Sequence, residues 1–156
     1  MNYPKRILLV EDSLRDAELV LDALEPHQIG IEVVHVRDGV EALDYLYRRG
    51  TFAGRSDGQP ALILLDLKLP RVDGLAVLRQ IKGDATLKMI PVVMMTSSRQ
   101  EHDLIRSYEL GVNAYVVKPV KFQDFVEAVK QVNGFWAALN VVPEGLSPGE
   151  IAIYKT

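Results

Sequence analysis

The 156-residue chain reads as an α/β protein of the doubly wound type, a parallel sheet covered by helices on both faces. Three observations predict it: five short runs that are almost wholly apolar, a segment of helical period after each, and turn residues between them. A strand buried on both faces loses the in-out alternation of a half-exposed one. Continuous runs such as Ile7-Leu8-Leu9-Val10 therefore point to a parallel sheet.

The elements follow in order. Ile7 to Val10 is the first strand, ending on Glu11-Asp12. Ser13 can cap a helix in which Ala17, Val20, Leu21 and Leu24 recur at helical spacing until Pro26. Ile31 to Val36 is the second strand. Asp38-Gly39 then reads as a turn, with Val40, Leu43, Leu46 and Tyr47 marking the second helix. The stretch 50–60, rich in glycine, reads as a loop within one domain. Residues 61–65 form the third strand, with Asp66 at its carboxyl end, and Leu75, Leu78 and Ile81 define a third helix ending near Gly83. Pro91 opens the fourth strand, Val92 to Met95, which ends on Thr96; a fourth helix spans roughly 100–110. Ala114 to Val117 is the fifth strand, ending at Lys118-Pro119, and Phe122, Phe125, Val126, Val129 and Val132 share one face of the last helix.

Composition narrows the function. A formal net charge of −3 gives no general electrostatic reason to bind nucleic acid. With no cysteine, disulfides, thiolate catalysis and cysteine-ligated metals are excluded. No apolar run reaches the length of a signal-peptide core or a membrane span, so the expected location is the cytoplasm.

In a sheet of this kind the ligand site lies beyond the carboxyl ends of the strands. Those ends carry Glu11 and Asp12 after the first, Asp66 after the third, Thr96 after the fourth and Lys118 after the fifth. Three carboxylates in one cleft require a compensating cation, and oxygen-only ligation with open positions suits Mg²⁺. Lys118 adds a mobile positive charge and Thr96 a hydroxyl donor. A carboxylate beside a divalent metal, a lysine and a hydroxyl is equipped to accept a phosphoryl group by in-line transfer. Singly, each residue has a plainer explanation: a strand-end Asp is ordinarily a cap or turn residue, and Glu11-Asp12 can simply favour a helix dipole. Their joint placement at one edge carries the argument.

The motifs ILLVED, LILLDLKLPRVDG, PVVMMTSS and AYVVKPV resemble those of receiver domains of two-component response regulators over about 6–131. The resemblance implies a flavodoxin-like sheet in the order 2-1-3-4-5 with five helices, and a receiver domain over 5–139. It leaves 140–156 as a C-terminal extension without an effector domain. Carried over by position, Glu11 and Asp12 are metal ligands, and Asp66 is the phosphoacceptor and third ligand. The backbone carbonyl of Lys68 also reaches the Mg²⁺. Thr96 and Lys118 become the switch hydroxyl and the lysine that meets the phosphoryl group, Tyr115 the aromatic switch, and Lys118-Pro119 a cis bond. The Lys68 side chain, two residues beyond Asp66, is expected to affect attack of water on the acyl phosphate.

A narrower resemblance, in the long loop before the third strand, SYELGVNAYVVKP and a last helix running into Phe135-Trp136, is to the small regulators paired with bacterial and cyanobacterial phytochromes. It implies a bacteriophytochrome-like histidine kinase as phosphodonor, a homodimer, and no direct contact with nucleic acid or membrane. Output would pass through the fourth helix, fifth strand and fifth helix, where Arg106, Tyr108, Tyr115 and Phe122 lie. Phe135 and Trp136 are expected to cover the core more than to form a contact between copies.

Two other classes compete. An aspartyl-nucleophile phosphohydrolase usually needs a second acid two residues after the nucleophile, where this chain has Lys68. A degenerate receiver that only mediates interactions would not need the complete set of five. His27, His35 and His102 show no metal-ligand spacing, and Met94-Met95 reads as core.

Overall fold

The computed structural model describes residues 5–24 and 31–141. Five parallel strands, β1 (Lys5–Val10), β2 (Ile31–Val36), β3 (Leu62–Leu65), β4 (Val92–Thr96) and β5 (Ala114–Val117), pair in the order β2-β1-β3-β4-β5. Between and after them run α1 (Leu14–Leu24), α2 (Gly39–Tyr47), α3 (Gly74–Gly83), α4 (Glu101–Glu109) and α5 (Phe122–Val132).

The continuous apolar strands are explained by two cores, one on each face. Alternate residues of each strand enter opposite clusters. Leu8, Val10, Ile63, Leu65, Val92 and Met94 pack against α2 and α3. Ile7, Leu9, Leu62, Leu64, Val93 and Met95 pack against α1 and α5. Burial of both faces stabilises each large side chain by about 1.5–3 kcal/mol, and fixes the register, since a one-residue slip exchanges the two sets.

α4 is built differently. Its buried residues are Asp103 and Ser107, while Leu104, Ile105 and Tyr108 lie exposed. Its inner face is therefore polar, and the Ser98 hydroxyl bonded to Asp103 ties it to the end of β4.

Three sequence expectations change. Asp38 caps α2 through a bond from the Glu41 amide, and Gly39 is already helical, so the expected turn is a helix start. Of the residues expected to mark α2, Leu46 is buried and Leu43 and Tyr47 pack against the core, with Gly39, Ala42 and Tyr45 completing the buried side. Gly39 is dictated from afar, because a Cβ there would lie 1.9 Å from the Val72 carbonyl oxygen. Phe122 is exposed at the start of α5, off the buried face formed by Phe125, Val129 and Val132. Finally, α5 continues as a π-helix over Asn133–Leu139, in which Trp136 packs against the core and Phe135 is half exposed against it, ring edge to face. The expectation that both aromatics cover the core holds for Trp136 alone. Within 50–60, a short 3-10 turn (Gly50–Phe52) is followed by Arg55, which stacks on the Tyr45 ring and bonds the carbonyls of Tyr45 and Gly58.

Candidate functional site at the carboxyl edge of the sheet

Three of the site residues are placed by backbone bonds that extend the ladder just past a strand. The Glu11 amide donates to Val36 O, the Asp66 amide to Val10 O and the Lys118 amide to Thr96 O. His35, in β2, adds a ring nitrogen bonded to the carbonyl of Glu11 at 2.8 Å, pinning the backbone between the two first acids. The strand order therefore brings together side chains more than a hundred residues apart.

Carboxylate oxygens of Glu11, Asp12 and Asp66 lie within 4.8 Å of one another. Glu11 is buried, Asp66 partly so and Asp12 exposed, leaving the cluster open on one side. The Lys118 ammonium donates to Glu11, to Asp16 Oδ2 at 2.9 Å and to Asp66 Oδ2 at 3.3 Å. Glu11 Oε2 is buried with no protein partner. A buried acceptor left over beside two further carboxylates is the donor set a hard divalent cation needs, so these residues fit one.

The electrostatics follow from burial. Loss of water, and then the neighbouring Asp66, push the Glu11 carboxyl up to about 9, against the opposing pull of Lys118. Burial alone would push Lys118 down, but its bonds to Glu11 and Asp16 hold it above the usual lysine value. As a cluster, Lys118 stays charged and the buried Glu11 carboxyl holds its proton more tightly than an isolated one does.

Thr96 is fully buried, and its hydroxyl accepts the Ser98 amide at 3.2 Å. The Ser98 hydroxyl donates to the buried Asp103 of α4, and Tyr115 OH donates to Ser98 O at 3.2 Å. The backbone carbonyl of Asp103 accepts from Ser107 Oγ at 2.7 Å. Thr96 and Tyr115 thus meet through Ser98.

Glu11, Asp12, Asp66 and Lys118 converge as expected from their strand ends. Lys68 is exposed between buried Leu67 and Leu69. The Lys118-Pro119 bond is trans, correcting the cis expectation: among the described residues no cis peptide occurs, and trans is the intrinsically favoured isomer. His27 lies outside the described residues. Sequence reasoning missed Asp16, His35 and Asp103 as members of the site. Ser13 and Asp16 carry only the ordinary signature of a helix start.

Known proteins agree with this geometry. The family model described as response regulator receiver domain matches residues 7–130. Response regulator Rcp1 of Synechocystis is 43% identical over 142 residues, spanning 91% of this chain and 95% of that protein. The Mn²⁺-bound form of Rcp1 superposes with a TM-score of 0.85, covering 90% of this chain and 99% of its own. The phosphorylated cyanobacterial phytochrome response regulator RcpA gives 44% identity and a TM-score of 0.85, with 90% and 99% covered. The bacteriophytochrome response regulator RtBRR is 55% identical, with a TM-score of 0.71 and 97% and 89% covered. With its sheet order, its acidic cleft and these relatives in agreement, the chain belongs to the response regulator receiver family, and is similar to regulators of phytochrome signalling.

Proposed function

We propose that Asp66 is the phosphoacceptor, taking a phosphoryl group from a histidine kinase of the bacteriophytochrome kind. The observation that carries the reading is the convergence of Glu11, Asp12 and Asp66 on one open cleft with the Lys118 ammonium. Mg²⁺ held by these three carboxylates and the Lys68 carbonyl would offset the charge that accumulates during transfer. An Asp66 oxygen attacks phosphorus, the bond from phosphorus to the donor nitrogen breaks, and the imidazole departs with the electron pair and takes up a proton. Lys118 holds one phosphoryl oxygen by charge and Thr96 another by its hydroxyl.

To donate to the phosphoryl group the Thr96 hydroxyl moves toward Asp66 and away from the Ser98 amide it accepts. Its movement frees Ser98, and through Ser98 both Tyr115 and α4, so the modification shifts a population between two arrangements. The protein turns over no separate metabolite on this reading, and any loss of phosphate is part of the switch. Exposed Leu104, Ile105 and Tyr108 on α4, with Phe122 on α5, support a partner or homodimer surface on the α4–β5–α5 side. A cytoplasmic location fits a kinase donor; among the described residues no helix is long and apolar enough to cross a membrane. Residues 140–156 are assigned as an extension to this receiver unit.

Incubation with Mg²⁺ and a small phosphodonor, followed by intact mass, tests the reading. One added phosphate, absent in Asp66→Asn, is expected. No adduct on the natural chain, or an adduct that survives Asp66→Asn, overturns it.

A further inference from the structure

We propose that Asp16 is a positioning residue for phosphoryl transfer, holding the Lys118 ammonium beside Asp66 when the metal-binding carboxylates are engaged. This rests on the reading of Asp66 as phosphoacceptor. Asp16 stands in the first turn of α1, where the Ser13 hydroxyl accepts its amide at 3.2 Å. An acid at this point of a helix ordinarily turns back to its own cap or complements the dipole. Here it reaches across to a lysine 102 positions along the chain, with a contact of 2.9 Å.

The ammonium has three protons and three carboxylate partners, Glu11, Asp16 and Asp66. Glu11 and Asp66 belong to the acidic cluster that fits a divalent cation, and Asp16 does not. When a cation occupies that cluster, it draws on the oxygens of Glu11 and Asp66 and repels a neighbouring ammonium. Asp16 is then the acceptor left to retain Lys118 at the cleft. Its side chain is 28% exposed and that of Lys118 10%, so the pair is shielded enough for the contact to count. One proton stays with Asp16 while the others remain available to a phosphoryl oxygen. The lysine is oriented without being consumed by the ligands it assists.

The test is phosphorylation by phosphoramidate at saturating Mg²⁺, followed by intact mass, for the natural chain, Asp16→Asn, Asp16→Glu, Lys118→Ala and the double variant Asp16→Asn with Lys118→Ala. Asp16→Asn should lower the rate constant at saturating donor about tenfold, as one charge-assisted contact would. The donor concentration at half-maximal rate should stay unchanged, and Asp16→Glu should recover part of the loss. With Lys118 already replaced, Asp16→Asn should change the rate by less than about twofold. Thermal melting of each variant checks folding, and Asp16→Ser replaces Asp16→Asn if the latter is unstable. Asp16→Asn within twofold of the natural chain overturns the proposal, and so does an equal loss in the Lys118→Ala background. A natural chain that gains no phosphate overturns the reading of Asp66 itself, a different result from these.

Discussion

Gly74→Ala should damage the site through the backbone of Asp66, the proposed phosphoacceptor. Gly74 opens α3, and its amide donates to Leu67 O at 2.8 Å, drawing the helix onto the loop after β3. A Cβ built there lies 2.2 Å from the Asp66 carbonyl oxygen, 2.7 Å from Leu67 Cα and 2.9 Å from Leu67 O. Ordinary van der Waals contact begins near 3.4 Å, and all three obstacles are backbone, so no rotamer change relieves them. Overpacking of this kind costs about 1–3 kcal/mol, only partly offset by the better helix propensity of alanine. At about 2–4 °C per kcal/mol for a chain of this size, melting should fall by several degrees. A shift on the order of 1 Å at a reacting group can cost about a hundredfold in rate, so phosphorylation should suffer more than stability does. Gly83→Ala, at the other end of the same helix, meets nothing within 4 Å and serves as the control. The assay is thermal denaturation by circular dichroism beside phosphorylation by intact mass. Melting within about a degree of the natural chain and an unchanged rate for Gly74→Ala would refute the close-approach argument.

Glu11, raised by burial from 4.5 to about 9, binds its proton more tightly folded than unfolded. Its contribution to stability is complete below its unfolded value and is lost as pH rises through the folded one. The metal-free protein should therefore melt lower as pH climbs across that window, while saturating Mg²⁺ should flatten the decline; parallel curves with and without Mg²⁺ would count against it. Ser98→Ala removes the hydroxyl that donates to the buried Asp103 carboxylate and should cost about 1–3 kcal/mol in urea denaturation. No change in midpoint would show that water replaces it fully. Lys68→Ala should alter the lifetime of the aspartyl phosphate, followed by intact mass after donor removal, and an unchanged lifetime refutes a role for that ammonium.

The parallel sheet was readable because doubly buried strands are the least ambiguous pattern in such a chain. β2 and β5 match their expected spans, and β1 and β3 shift only at their amino ends, where pairing rather than apolarity sets the limit. Helix phase was less legible. Gly39 looked like a turn residue because its reason, the approach of the Val72 carbonyl, lies 33 positions away. Glu11, Asp12, Asp66 and Lys118 could be found because strand-end position alone brings them together. Asp16 and Asp103 could not, since each looks like an acid that favours a helix start, and only the tertiary contact with Lys118 or Ser98 gives it a further role.

α4 shows why a small change at Asp66 can reach the surface. A helix whose buried residues are Asp103 and Ser107 gains little apolar burial, so its position rests on a few directional bonds. Those bonds run through Ser98, whose amide is held by the Thr96 hydroxyl and whose carbonyl accepts from Tyr115. A hydrogen bond of this sort contributes about 0.5–1.5 kcal/mol net, and two or three together match the few kcal/mol that separate the states of a population switch. An apolar α4 interface would contribute several times more and would resist the loss of one hydroxyl contact. The outward Leu104, Ile105 and Tyr108 then have a physical counterpart on the inner face. The apolar residues that could have anchored the helix are instead available to a partner, and the anchor is one that movement of Thr96 can release.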